Sequence, residues 1–265
     1  MWWEYDKYTE ARYRAIDKRR SNRTFVSQPQ PHVLDELKLS AHSLSKAVGV
    51  RIAVIKGAED IFSLLPGGYG TIKGDMAAAA IFCRKGDAFG SLKAGYAGEQ
   101  LVLDATAMDV GTCWTAGTYS QAKTKKMVAM RDNEKLVCVT PLGIVAKDAS
   151  TTERIIEKAA SGRSRKTLET LTGMITQQLD LLPKWQRAAL EAARIAPSAM
   201  NAQPWRFTVL KGGIRIEAVP IRLPLSEIDF GIAMLHMELA AAQHGVKTNW
   251  QLLNRPHVAE ITAVK

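Results

Sequence analysis

The sequence predicts an α/β or α+β sheet protein built from two related halves. Three observations predict it: helix and strand periodicities alternate along the chain, two stretches recur in the same order, and the composition is ordinary for a globular protein. Of 265 residues, 46% are hydrophobic and 23% charged, with 19 Gly and 10 Pro, which excludes collagen-like, disordered and coiled-coil classes.

The elements follow in order. Residues 1–18 carry charges and aromatics (Trp3, Tyr5, Tyr8, Tyr13) at near-helical spacing, the pattern of an amphipathic helix leading into Arg19-Arg20-Ser21-Asn22-Arg23. After Pro29 and Pro31 a helical pattern runs from Val33 to about Leu44. Val50 to Ile55 alternates apolar residues as a strand does, and Gly57 ends it. A Gly-rich loop (Pro66-Gly67-Gly68-Tyr69-Gly70) precedes the apolar run Ala77 to Cys83, too short to span a membrane and suited to a buried strand. An apolar-periodic helix covers Gly98 to Asp109 and ends near Gly111; a strand, Leu136 to Thr140, and a turn, Pro141-Leu142-Gly143, follow. Residues 146–173 are polar and basic enough to be a connector, and helix, strand, helix and strand recur from Pro183 onward.

That recurrence is visible residue by residue. Ala41 to Gly57 and Ala196 to Gly212 agree at 7 of 17 positions without a gap, and Gly95 to Trp114 agrees with Gly231 to Trp250 at 7 of 20. Two ungapped matches in the same order are best explained by duplication. The copies run roughly from 19 to 170 and from 171 to 265, the second cut short after Trp250; with the first helix included, the division is 1–170 and 171–265.

No uncharged apolar run approaches the ~18 residues of a membrane helix, and the N-terminus has no apolar signal segment, so the expected location is cytoplasmic, with no membrane. Cys83, Cys113 and Cys138 form neither a disulfide framework nor a zinc knuckle. The five histidines show no metal spacing, and His236 and His244, on an apolar helix, are expected to be packed or surface residues. Lys and Arg number 36 against 26 Asp and Glu, a net charge of +10, which suggests an anionic partner. Nucleic acid would call for basic residues interleaved with aromatics or a recognition motif, which the sequence lacks; a phosphorylated cofactor calls for only a few localised cations, and a solvated surface for none.

Three segments carry chemistry. In Arg19-Arg20-Ser21-Asn22-Arg23, an extended backbone would point Arg19, Ser21 and Arg23 to one side, offering two guanidinium forks and a hydroxyl to a phosphate; the alternative is a basic helix end and a loop. In Ala196-Pro197-Ser198-Ala199-Met200-Asn201-Ala202-Gln203-Pro204-Trp205, two prolines bracket small and amide residues between a helix and a strand. Free backbone groups and amides there suit a planar heterocycle; the alternative is an ordinary connection anchored by Trp205. The first-copy counterpart, His42 to Val50, lacks its Pro, Asn, Gln and Trp. Gly111 to Gly117 (GTCWTAG) places glycines around small residues, letting backbone approach a flat ligand, or it is a helix cap and turn.

Together these residues resemble the FMN-dependent nitroreductase family, whose members carry an Arg-Arg-Ser-x-Arg start, a Pro-Ser-x-x-Asn-x-Gln-Pro-Trp loop and a Gly-x-x-Trp segment. A late Arg-Lys-Pro-Leu-Glu-Glu-like element of the family is similar to Arg165-Lys166-Thr167-Leu168-Glu169, with Thr167 in place of Pro. The resemblance covers nearly the whole chain and implies a three-layer nitroreductase-like α+β fold. In that family two identical subunits share each FMN at their interface. Here the pattern is split, the intact Pro-Ser loop lying in the second copy and the other elements in the first. The resemblance therefore implies a monomeric pseudo-dimer with one FMN per chain.

It further implies that NAD(P)H delivers hydride to flavin N5 and that a small acceptor, a nitroaromatic or quinone, follows in the same cleft. Arg19, Arg20, Ser21 and Arg23, with Arg165 and Lys166, would hold the phosphate. Pro197, Ser198, Ala199, Asn201 and Gln203 would line the isoalloxazine, and Cys113, Trp114 and Thr115 would close the other side. No protein acid or base is required. Tyr69, in the longer first-copy insertion, is the candidate residue over the substrate. Flavin binding without turnover, and anion or nucleic-acid binding without the cofactor, are the competing functions.

Overall fold

The computed structural model describes residues 8–62, 72–115, 117–146, 165–220 and 226–264, the side chains of Leu44 and Ser226 excepted. Tyr69, Trp3 and Tyr5 lie outside the described residues. In chain order the elements are α1 (Thr9–Lys18), β1 (Thr24–Phe25), α2 (Pro31–Val48), β2 (Arg51–Ile55), α3 (Glu59–Phe62), β3 (Lys73–Gly74), β4 (Ala77–Arg84), α4 (Gly90–Ala107), β5 (Gly111–Thr112), α5 (Gln121–Met127) and β6 (Glu134–Gly143). After the 165–167 segment come α6 (Leu168–Thr172), α7 (Thr176–Asp180), α8 (Lys184–Arg194), β7 (Trp205–Leu210), β8 (Gly213–Ala218), α9 (Ser226–Gln243), β9 (Thr248–Leu252) and β10 (His257–Ala263).

Two four-stranded antiparallel sheets form, β2-β4-β6-β5 and β7-β8-β10-β9. Each places its third strand in sequence at the edge, beyond the fourth. Helix α4 packs on β4 and β6 and also on α9, which packs on β9, so the helix pair lies between the sheets. The result is an α+β sandwich of sheet, helices and sheet.

The first sheet is buried on both faces. Along β4, Ala77, Ala79, Ile81 and Cys83 enter the main core, while Ala78, Ala80 and Phe82 enter a second core with Phe25, Ile61 and Phe62. Period-two side-chain alternation and two apolar faces together explain the unbroken apolar run. The second sheet has a wet face: on β7, Trp205 and Phe207 point inward and Arg206 and Thr208 outward.

Several element boundaries differ from those the sequence predicts; within the connector expected over 146–173, Leu168–Thr172 forms helix α6, capped by the Thr167 hydroxyl. Helix α2 continues to Val48 and ends on Gly49 in a left-handed C-cap, the conformation glycine adopts most readily. Helix α4 begins at Gly90, eight residues earlier than its apolar period suggests, because Gly95 and Gly98 break that period while serving close packing. Pro141 lies within β6, not in a turn; it offers no N–H, and the Cys113 carbonyl is met by the Thr140 hydroxyl at 3.0 Å.

The packing of α4 on α9 is reciprocal. A Cβ on Gly95 would fall on the Ile228 carbonyl, and a Cβ on Gly231 would fall on the Leu92 carbonyl and the Tyr96 N–H. Gly95 and Gly231 are matched positions of the repeat, as are Leu92 and Ile228. Likewise the matched Trp114 and Trp250 each donate an indole N–H to a buried glutamate of the preceding helix, to Glu99 at 2.6 Å and Glu238 at 2.8 Å. The second half does not stop at Trp250: β9 and β10 complete its sheet, and the shortening lies between them, where Leu253–Pro256 replaces residues 113–133 of the first half.

This crossing makes Gly231→Ala a sharp test. Helix propensity alone predicts a gain of about 1 kcal/mol; backbone against backbone cannot yield as a flexible side chain would, so a net loss of about 1–3 kcal/mol is expected. Urea denaturation midpoints measure it, and a stabilised variant would contradict the close crossing.

Candidate functional site

The segment after α1 is extended. Ser21 bridges Thr112 in parallel and the Asn22 N–H donates to the Thr112 carbonyl at 2.8 Å, laying Arg19–Arg23 beside β5. Gly111 permits this approach, since a Cβ there would strike Val145 and Asn22. Burial raises the Cys113 thiol pKa, and the charges of Arg23 and Arg19 and the Ser21 side chain oppose the rise. The charges of Arg19 and Arg23 and the Ser21 side chain thus lie near Cys113. Arg20 turns the other way and donates to the carbonyls of Asp17 and Arg19 at 2.7 and 2.9 Å.

Arg165 and Lys166 are held against the 196–203 loop. Arg165 Nη1 donates to the Ala196 carbonyl at 2.8 Å and to Asn201 Oδ1 at 2.7 Å. The Lys166 N–H donates to Gln203 Oε1 at 2.8 Å, and its Nζ to the carbonyls of Gln203 and Ala202 at 3.0 and 3.3 Å. Burial, then the charges of Arg19 and Arg194, push the Arg165 guanidinium down to about 10. Arg19 and Arg194 are thus the charged neighbours of Arg165, and Arg19 and Arg23 those of Cys113.

The 196–203 loop leaves α8 at Ala196 and folds back through left-handed backbone at Met200, Asn201 and Gln203 (φ 53°, 55° and 49°). Non-glycine residues adopt that region at a cost of order 1 kcal/mol each and need external support. Ser198 Oγ accepts from the Gln203 N–H at 2.9 Å, and Gln203 Nε2 donates to the Asn201 carbonyl at 3.1 Å. The amides of Asn201 and Gln203 are therefore engaged in shaping the loop, as are the N–H groups of Asn201 and Ala202, which donate to the carbonyls of Ser198 and Ala199 at 2.9 and 3.0 Å. From α9, the Asp229 carboxylate accepts the Ala199 N–H, both oxygens at 3.1 Å. Burial raises its pKa to about 7, partly opposed by that same hydrogen bond.

Glu99 is fully buried beneath Arg19. It accepts from Trp114 Nε1, faces His236 Nε2 at 2.9 Å, and lies 4.0 Å from Arg19 Nε. His236 Nδ1 donates to the Ala192 carbonyl at 3.0 Å. His236 is packed, as expected, and also ties α9 to α4 and α8. The Thr115 hydroxyl donates to the Val139 carbonyl, and the Trp114 ring lies over Gly98.

One atom stands out: Arg19 Nη1 is buried without a hydrogen-bond partner. A buried guanidinium N–H with nothing to donate to costs on the order of 1–3 kcal/mol or more, and an anion at the locus would remove that cost. The arginine cluster therefore fits a phosphate-bearing group. Asp229, Glu99, His236 and Arg194 adjoin these residues although no sequence motif singles them out; the readable signal was Glu99, Asp229 and His236 on otherwise apolar helical stretches. Among the described residues no cluster of His, Cys, Asp and Glu could hold a metal, and no helix is long and apolar enough to cross a membrane.

Comparison with known proteins agrees with this architecture. A structure described as a "putative nitroreductase" from Thermotoga maritima is similar over 98% of this chain and 96% of its own, with a TM-score of 0.60 and 21% identity. A nitroreductase family protein from Clostridium novyi (21% identity, TM-score 0.42) and an FMN-dependent nitroreductase from Clostridium difficile (18%, 0.41) each cover 51% of this chain and 85% and 88% of their own. No curated protein matches. The sequence model of the family described as "Putative TM nitroreductase" matches residues 12–241, and the chain belongs to that nitroreductase family.

Proposed function

We propose that the chain is an FMN-dependent NAD(P)H oxidoreductase of nitroreductase type, a single-chain pseudo-dimer with one flavin site. The unpartnered Arg19 Nη1 among Arg23 and Arg165 is the observation that carries it. When bound, FMN would supply the redox chemistry, taking a hydride from NAD(P)H and passing it to a nitroaromatic, quinone or similar acceptor.

The chain's own residues would bind and orient. Arg19, Ser21 and Arg23 would donate to the phosphate, while Arg165 and Lys166, held against the 196–203 loop, would join the phosphate end to the ring end. Backbone groups from Pro197 to Gln203 would border the isoalloxazine, with Asp229 fixing Ala199. Arg20 would add only its charge.

The pseudo-dimer, with halves 1–170 and 171–265, is supported by the shared strand order and by the reciprocal Gly95 and Gly231 contacts, the pattern an isologous interface produces. A single flavin site is supported by α2. Where the second half leaves its helix at Ala196, the first half stays helical from Ala41 to Val48, and its backbone groups are committed to helical hydrogen bonds. The chain would act as a monomer in the cytoplasm on small molecules, without nucleic acid or membrane partners.

The purified protein, reconstituted with FMN, is expected to be yellow with one FMN per chain and to bleach anaerobically with NADH or NADPH. A chain that takes up no FMN overturns the proposal, two FMN per chain overturn the single site, and a flavin that stays oxidised reduces it to flavin binding without turnover.

A further inference from the structure

A glutamate buried in a protein needs its charge met, and each half of this chain buries one on the central helix pair. Glu99 on α4 is 0% exposed and Glu238 on α9 is 1% exposed. Each accepts the indole N–H of the tryptophan that ends the matched stretch of its half, Trp114 or Trp250. Gly98 makes room for the first of these pairs, since a Cβ there would fall on the Trp114 ring. An indole bonded to a buried carboxylate is therefore common to both halves.

The second carboxylate oxygen separates them. Glu238 Oε2 accepts from Trp250 at 2.8 Å and from the Tyr96 hydroxyl at 2.6 Å, while its Oε1 is buried without a hydrogen-bond partner. Among the described residues no arginine or lysine forms an ion pair with it. In Glu99, Oε2 is taken by Trp114, and Oε1 faces both His236 Nε2 at 2.9 Å and Arg19 Nε at 4.0 Å. His236 is fixed in turn by the Ala192 carbonyl. Groups from α4, α8 and α9 and the residue after β5 thus hold one carboxylate against one arginine.

We infer that Glu99 is a positioning residue for an anion clamp: it holds the buried Arg19 guanidinium in place by its Nε side and leaves Nη1 for a phosphate. This rests on the FMN reading of the site. The Arg19 side chain is only 10% exposed, so water cannot fix the guanidinium and a neighbouring charge must. The nitrogen facing Glu99 is Nε and the unpartnered one is Nη1, so carboxylate and phosphate would be served by different donors of one fork. A carboxylate this close also repels a phosphate, which makes the sign of its effect decisive. Preorganising a long side chain removes rotamer entropy otherwise lost on binding, and that gain predicts weaker FMN binding when the charge is taken away.

Equilibrium dialysis of the full chain against FMN and against riboflavin gives a ratio of affinities that reports the phosphate alone. Glu99→Gln, whose amide oxygen can still accept from Trp114, is expected to lower that ratio about 10-fold. Glu99→Asp keeps the charge but withdraws it by one methylene; it should lower the ratio too, and it carries the test where Glu99→Gln does not fold. In an Arg19→Ala background Glu99→Gln is expected to change the ratio by less than about twofold, because nothing remains for it to position. Glu238→Gln, the same change in the corresponding pair of the other half, should leave the ratio as it is. A ratio that holds or rises on replacing Glu99 while Arg19→Ala lowers it overturns the positioning role and leaves the FMN site standing. So does an equal loss with and without Arg19, or an equal loss in Glu238→Gln. A chain that binds FMN no more tightly than riboflavin, or an Arg19→Ala variant with the ratio intact, overturns the phosphate site and the role of Glu99 with it.

Discussion

Arg19→Ala is expected to weaken FMN binding by about 100-fold or more while changing riboflavin binding by less than about threefold. The first figure corresponds to roughly 3 kcal/mol, the size of one or two charge-assisted hydrogen bonds. Arg19 already has its Nε side directed at Glu99 and its Nη1 buried and unpartnered, so a phosphate gains a positioned donor at little further entropic cost. Riboflavin lacks the phosphate and reports whether the rest of the site survives. Equilibrium dialysis of both flavins measures the pair of affinities. Equal losses for both would mean that Arg19 supports the fold, not the phosphate.

Asp229→Asn is expected to stabilise the flavin-free protein above neutral pH by as much as about 4 kcal/mol, and to change little near pH 4. The sign follows from linkage. Folded Asp229 titrates at about 7 against an ordinary 3.8, so between those values the native state holds a proton that the unfolded chain has lost, and stability falls as pH rises across that window. Above pH 7 the full penalty is present, about 1.4 kcal/mol per pH unit of displacement. Asparagine never ionises, yet its oxygen can still accept the Ala199 N–H, so its stability curve lacks this slope. Thermal or urea unfolding of both proteins from pH 4 to 9 provides the check, and parallel curves would show that Asp229 titrates normally.

The burial that shifts Asp229 also places it against the left-handed run Met200, Asn201 and Gln203. Its role was not legible in Glu227-Ile228-Asp229-Phe230, where an acidic residue in the first turn of a helix reads as a favourable charge against the helix dipole. The carboxylate instead supports a loop 30 residues earlier. Glu99 and His236 were hidden for a similar reason: 137 residues apart in sequence, they meet only because α4 and α9 cross at two glycines.

Other features could be read directly. Local periodicity located β2 and β4 within a residue or so, and the Arg19–Arg23 segment runs beside β5 as an extended chain would. Periodicity failed where a glycine contact replaced an apolar one, at the start of α4, and where a side chain replaced a missing backbone donor, at Pro141.

By itself, then, the sequence determined the alternation of elements, the recurrence of two stretches and the three candidate segments, because each is written in neighbouring residues through propensity and side-chain alternation. The tertiary structure alone decided which residues share the candidate site: that Arg165 reaches Asn201, that the loop amides serve the loop itself, that Asp229 supports the loop, and that Glu99 lies beneath Arg19 beside His236. Those are meetings between elements far apart in the chain, set by how closely two helices can pack between two sheets, and no local pattern encodes them.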